Sequence, residues 1–228
     1  MVTVNRASQV KPDCVSVLIL AAGSGDRIGR RPKAFLRLEG RTLLERAVAL
    51  VTPFATEIIV GVRPEDLARA RRLVPKTVQV VAGGATRQET LSRLLRCCTK
   101  PIILLHEVAR PFVTAELFER LLAEVQRHGA VALYTEVPVR DSLGLLEKQG
   151  LKMILPRRSV VALQIPHAYR REILLHANRL AARNNWNEEG TAAVVKRAGH
   201  KVRLVPGSPD NLKVTYVGDL KFRPHHRG

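Results

Sequence analysis

Val15-Ser16-Val17-Leu18-Ile19-Leu20-Ala21-Ala22-Gly23-Ser24-Gly25 passes directly from an apolar run into a glycine-rich loop. A short apolar run of this kind reads as a strand buried on both faces, as in a parallel sheet. The loop continues Asp26-Arg27-Ile28-Gly29-Arg30-Arg31-Pro32-Lys33. Its glycines free backbone N–H groups to curl toward an anion, and Arg27, Arg30, Arg31 and Lys33 supply positive charge. The loop therefore reads as a cradle for a nucleoside triphosphate. Taken alone, it is equally compatible with a flexible strand–helix connection carrying solvated charges.

Spacing removes two better-known loops. Gly23, Gly25 and Gly29 form G-x-G-x-x-x-G, one residue longer than the dinucleotide fingerprint, and the next predicted strand ends Val60-Gly61-Val62-Arg63 without an acid. Lys33 follows a proline and precedes Ala34, which excludes the P-loop pattern. What remains is a triphosphate gripped by side-chain cations.

Outward from this loop, apolar runs alternate with amphipathic stretches, the pattern of an α/β fold with a mainly parallel sheet. Strands are predicted at 15–20, 57–62, 78–81, 102–106 and 130–136, with helices near 42–51, 64–73, 87–97 and 114–127. Loops at the carboxyl ends of such strands form the site, which singles out 23–33, 83–87 and 107–111. The rhythm breaks over 137–166, where Pro138, Gly144, Gly150 and Pro156 punctuate a segment that reads as a projecting hairpin. Beyond it, helices are predicted at 169–183 and 187–198 and a strand at 201–205. Residues 222–228 read as a disordered tail.

The 228 residues are 46% hydrophobic, enough for one sizeable core, and carry a net charge of +18, which calls for an anionic partner. Aromatics make up only 4% and do not interleave with the basic residues, so the stacking surface of a single-strand nucleic-acid binder is missing. Arg71-Arg72 and Arg170-Arg171 fall on predicted helices and read as solvated faces. Cys14, Cys97 and Cys98 have no metal-ligand spacing and fit a reducing compartment, the cytoplasm. Val15–Ala22 has the length of a signal-peptide core, but the cradle follows immediately and makes it a buried strand. No apolar run is long enough to cross a bilayer.

Five segments lie in one order along nearly the whole chain: Ala21–Leu36; Gly83-Gly84-Ala85-Thr86-Arg87; His106-Glu107-Val108-Ala109-Arg110-Pro111; Arg157 ahead of Ile165-Pro166-His167; and Gly207 leading into Asn211-Leu212-Lys213-Val214-Thr215. In this set the chain resembles the 2-C-methyl-D-erythritol 4-phosphate cytidylyltransferase family. The resemblance implies a single Rossmann-like nucleotidyltransferase domain over 1–228, with 137–166 as a dimerisation arm. It implies a reaction in which an acceptor phosphate attacks the α-phosphorus of CTP in line and pyrophosphate leaves, in non-mevalonate isoprenoid synthesis. Both reactants are anions, so positioning and charge neutralisation carry the catalysis.

By the same resemblance, Arg27 and Lys33 are the catalytic cations, while Arg30 and Arg31 stay surface charge. Ala22, Gly23, Gly25, Gly83, Arg87, Thr90 and Val108 meet the nucleotide, Thr90 serving equally well as an ordinary helix residue. Arg157, Lys213, Glu107, Arg110 and Ser142 position a sugar-alcohol phosphate, with Arg158 competing for the role of Arg157. Lys213 is expected on an apolar strand, beside an anion. Glu107 is also the candidate ligand for Mg²⁺ or another divalent cation, and the arm makes a homodimer. His106 reads as structural, since an ionised phosphate needs no general base.

The acceptor half departs from the family pattern. Glu107 stands for an aspartate, Asp141-Ser142-Leu143-Gly144 lacks a lysine, Ile165-Pro166-His167 lacks a hydroxyl and a glutamine, and Asn187-Glu188-Glu189 replaces paired aspartates. These departures keep open a cytidylyltransferase for another polyol phosphate, such as ribitol phosphate. The net charge keeps open a catalytically weakened homologue that binds nucleotide or RNA.

Overall fold

The computed structural model describes residues 10–25, 29, 31–139, 141–222 and 224. Their elements in chain order are β1 (Val15–Leu20), β2 (Arg37–Leu38), β3 (Arg41–Thr42), α1 (Leu43–Val51), β4 (Glu57–Val62), α2 (Leu67–Leu73), β5 (Gln79–Ala82), α3 (Arg87–Cys97), β6 (Ile102–Glu107) and α4 (Ala115–His128). There follow β7 (Ala130–Glu136), β8 (Leu143–Glu147), β9 (Gly150–Leu155), β10 (Val161–Arg170), α5 (Arg171–Arg183), α6 (Thr191–Arg197) and β11 (Arg203–Pro206). The main sheet has the order β11-β7-β10-β6-β1-β4-β5. β1 pairs in parallel with both β4 and β6, and only β10 runs antiparallel to its neighbours.

β1 shows why the sheet is covered on both faces. Val15, Val17 and Ile19 enter one apolar cluster with α1 and α4, while Leu18 and Leu20 enter another with α3 and α5. Helices therefore lie on both sides, and each fully buried aliphatic side chain contributes roughly 1.5–3 kcal/mol. The chain winds from β1 outward through β4 and β5, then crosses to β6 on the other flank of β1. That reversal opens a crevice at the carboxyl ends of β1, β5 and β6.

Three expectations change. Residues 161–166, expected in the arm, open β10 instead, and Tyr169, expected to start a helix, is a fully buried strand residue. Pro166 is accommodated because the β10–β7 register shifts between Gln164 and His167, where a missing N–H breaks no ladder bond. Asn211–Thr215, expected as a strand, is irregular. It is held by Val214 N–H donating to the Ala109 carbonyl at 2.7 Å and by the Asn211 amide donating to the Ile165 carbonyl at 2.8 Å.

β8 and β9 form a separate two-stranded ribbon, with Leu143 opposite Leu155. Of the expected tail, Phe222 packs edge-on against Phe112 with ring centroids 5.1 Å apart; Arg223 and 225–228 lie outside the described residues.

Candidate active site

Backbone bonds lace the loops together before any side chain acts. Ala21 N–H donates to the Gly61 carbonyl at 2.8 Å, Gly83 N–H to Val62 at 2.6 Å, and Val108 N–H to Leu20 at 3.2 Å. The loops after β1, β5 and β6 are thus extensions of the sheet ladder, fixed relative to each other. Gly25 has φ +72°, and a Cβ there would overlap the Arg31 carbonyl oxygen, so the cradle can fold back on itself only with glycine. A Cβ on Gly83 would meet the Ala22 methyl at 2.8 Å and the Thr90 hydroxyl at 2.9 Å.

The Gly83–Thr86 turn is pinned from below by α3. The Thr86 hydroxyl accepts from Glu89 N–H, capping the helix, and the Glu89 carboxylate accepts from Ala85 N–H at 2.9 Å. Thr90 is buried; its hydroxyl accepts from Gly84 N–H at 3.0 Å and donates to the Thr86 carbonyl at 3.0 Å. Thr90 therefore shapes the turn. Arg93 donates to the Gly83 carbonyl at 2.7 Å.

These loops enclose a cleft of about 690 Å³. Ala22, Gly23, Gly25, Lys33, Gly83, Arg87, Thr90, Glu107, Val108 and Lys213, all expected from sequence, line it together. Lys33 begins a short 3₁₀ turn after Pro32, and its Nζ donates to the Val214 carbonyl at 2.9 Å. Its ammonium thus reaches from the first loop to the segment that carries Lys213. Arg87 donates to the Thr191 hydroxyl at 2.6 Å, tying the cleft to the start of α6. Arg27 lies outside the described residues.

Glu107 is the electrostatic hub. Its Oε1 meets Arg110 Nε at 3.1 Å and its Oε2 meets Lys213 Nζ at 3.3 Å. Burial opposes its ionisation, but Lys213, Arg110 and Arg87 outweigh burial and hold the carboxyl below the usual glutamate range. Arg110 is not in the cleft wall; it sits beneath Glu107 and donates to the Asn211 carbonyl at 2.7 Å. With a cation on each oxygen, Glu107 does not suit the divalent-metal role expected of it. Among the described residues no group of three His, Cys, Asp or Glu side chains is placed to hold a metal.

Ser142 and Arg157 are not brought to this cleft. They stand at the base of the ribbon, where Arg157 donates to the Asp141 carbonyl at 2.9 Å. Sequence reading missed Arg63 and Arg93, which also line the cleft. Arg63 follows β4 at a strand's carboxyl end, the position that flags site residues. Arg93 lies two turns into α3 and carried no such signal.

Two histidines lie beneath the floor. His106 packs edge-on against Phe118, and burial lowers its pKa to about 4. His167 bonds through Nδ1 to the Tyr169 hydroxyl at 2.7 Å; burial, then the charge of Arg87, lowers it to about 3. Both rings are neutral at pH 7 and are structural. Between pH 6.5 and about 4 the unfolded chain gains two protons that the folded chain refuses. Stability therefore falls as pH falls through that window, by roughly 1.4 kcal/mol per pH unit for each ring. Urea unfolding at pH 6.5, 5.5 and 4.5 measures the slope. Half of it is expected to vanish in His167→Gln; an unchanged slope would contradict the assignment.

A family model described as "IspD: 2-C-methyl-D-erythritol 4-phosphate cytidylyltransferase" matches residues 15–223. A protein of that name from Deinococcus radiodurans is 39% identical over 206 residues, covering 90% of this chain and 86% of its own. One from Thermus thermophilus is 38% identical over 208 residues, covering 90% and 93%. The crystal structure of that enzyme from Thermus thermophilus superposes with a TM-score of 0.76 at 36% identity, covering 90% of this chain and 95% of its own. A 4-diphosphocytidyl-2C-methyl-D-erythritol synthase from Anaerococcus prevotii has a TM-score of 0.80 over 92% and 96%; at 22% identity it supports the fold alone.

Proposed function

We infer the reaction from one premise: the chain belongs to the 2-C-methyl-D-erythritol 4-phosphate cytidylyltransferase family, and it is a nucleotidyltransferase that joins CTP to that acceptor with release of pyrophosphate. The observation that carries the reading is the convergence of the Ala22–Gly25 loop, the Gly83–Arg87 turn and the Glu107–Ala109 turn, with Lys33 and Lys213, on one cleft. In our reading the two turns offer backbone groups to cytosine and ribose, and Lys33, with Arg27, neutralises the triphosphate. An oxygen of the acceptor phosphate attacks the α-phosphorus, the bond to the bridging oxygen breaks, and pyrophosphate departs with its electron pair. Magnesium enters as the Mg–CTP complex, part of the substrate, in keeping with its habit of binding through substrate phosphates.

Glu107 orients Lys213 toward the acceptor phosphate, while Arg110 neutralises Glu107 from below. The ribbon exposes Leu145, Leu146, Leu151, Met153 and Ile154, and an isolated hairpin is marginal in water. We propose that a second copy covers it and that Arg157 and Ser142 complete the neighbour's acceptor site. The free cysteines suit a reducing cytoplasm. Among the described residues no helix is long and apolar enough to cross a membrane.

Three measurements test this reading. Pyrophosphate release from CTP is expected with 2-C-methyl-D-erythritol 4-phosphate and not with ribitol phosphate; the reverse preference would move the chain to another acceptor, and CTP-independent RNA binding with no turnover would remove the activity. Sedimentation of Leu146→Asp/Ile154→Asp is expected to give monomers where the parent is dimeric. Arg157→Ala is expected to raise the acceptor KM about tenfold and leave the CTP KM unchanged, whereas equal changes in both would place Arg157 elsewhere.

A further inference from the structure

The amino-terminal end of β6 borders a second hollow, of about 670 Å³, at the opposite edge of the sheet from the cleft. The length of β6 separates the two by roughly 17 Å. Arg170, Arg171 and Arg179 line this hollow, facing a single acid in its wall, Glu172. Arg170-Arg171 read as a solvated helix face in the sequence; the structure instead places the pair at the β10–α5 junction.

Two of the three guanidiniums are held in place by main-chain oxygens. Arg170 donates to the Gln126 carbonyl, and Arg171 Nε donates to the Cys98 carbonyl at 3.0 Å. Neither bond neutralises charge, and each leaves further N–H groups of the fork unspent. Arg179 is exposed and forms no ion pair among the described residues. The Glu57 carboxylate makes no ion pair with them among the described residues; its oxygens accept from the Ser16 hydroxyl and from both the N–H and hydroxyl of Thr99. His176 also lines the hollow, with its Nδ1 engaged by His200 Nε2 at 2.9 Å. The floor is apolar, made by Pro101, Ile102 and Leu175.

Three like charges around one concavity repel unless an anion joins them, and pre-anchored guanidiniums recognise phosphate oxygens by bidentate hydrogen bonds. We propose that this hollow is a second anion site, taking a small molecule that bears a phosphate or diphosphate, its remainder lying on the apolar floor. Its size is that of small-molecule pockets. The site also gives a use to part of a +18 charge that the catalytic cleft does not need.

Calorimetric titration of the full chain tests this, with the cleft saturated by CTP and no acceptor present. Inorganic pyrophosphate or butyl phosphate is expected to bind with one equivalent. Tighter pyrophosphate points to the free diphosphate the reaction releases, tighter butyl phosphate to an organic phosphate ester. Arg170→Gln/Arg179→Gln is expected to weaken binding at least about tenfold while CTP turnover stays within about twofold. Arg179→Glu, at an exposed helix position, repeats the test should the double variant not fold. No binding of either probe to the parent, binding undiminished in the folded variants, or loss of RNA binding alone would overturn the proposal. Each of those results leaves the assignment of the catalytic cleft intact, since the two sites share no residue.

Discussion

Lys33→Ala is expected to lower kcat by about 10³-fold with little change in the fold. In the proposed reaction the ammonium lines a cleft where two anions meet and where negative charge grows on the departing pyrophosphate. Deleting one preorganised donor from such a place costs about 10²–10³-fold, and Lys33 brings a full charge as well. The folded state loses the bond from Nζ to the Val214 carbonyl, worth about 1 kcal/mol. Melting temperature therefore separates a catalytic from a structural defect. Lys33→Arg is expected to recover less than about a tenth of the activity, because a planar fork does not replace a compact point charge between phosphate oxygens. A kcat within about tenfold of the parent in Lys33→Ala would remove this residue from the reacting centre.

Glu107→Gln is expected to cost about 3 kcal/mol of stability as well as most acceptor-dependent turnover. The substitution keeps shape and removes charge, so the largely buried Arg110 loses its counter-ion while remaining fixed to the Asn211 carbonyl. Breaking a buried pair at one partner leaves the other uncompensated. Lys213, 43% exposed, is shielded by water and contributes less to stability, although the aim at the acceptor proposed for it is lost. Because the Glu107 pKa is held below the ordinary 4.5, its contribution is present above that pH and disappears as pH falls below it. Chemical denaturation across pH 3–7 is expected to show that acid-induced loss in the parent and to show less of it in Glu107→Gln. Parallel curves would mean that Glu107 is not charged in the native state.

Five parallel strands and their helices were legible because their periodicity is local. Val15–Leu20, buried on both faces, could hardly be anything else. β10 was not legible: Gln164-Ile165-Pro166-His167 has neither alternation nor a proline-free run, and only its place between β6 and β7 makes it a strand. Propensity yields there to pairing with elements more than twenty residues away. The same holds for the site. Glycines and cations at strand ends announced the cleft; Thr90 was expected there as well, but the bonds by which its hydroxyl and Arg93 pin a turn from inside a helix are encoded by no spacing.

The ribbon leaves the sheet after Glu136 and returns at Val161, and those two residues face each other in the β7–β10 register. The excursion is therefore an insertion spliced into what is already the mouth of a hairpin. Its length and sequence can drift, or be exchanged for another loop, without disturbing a single rung below it. Under the pairing of ribbons proposed above, a lineage can thus rewrite how two copies meet while the machinery that handles CTP is inherited unchanged. The acceptor-side departures around Asp141–Gly144 lie in this replaceable segment, while Lys33 and the loops at the strand ends lie outside it.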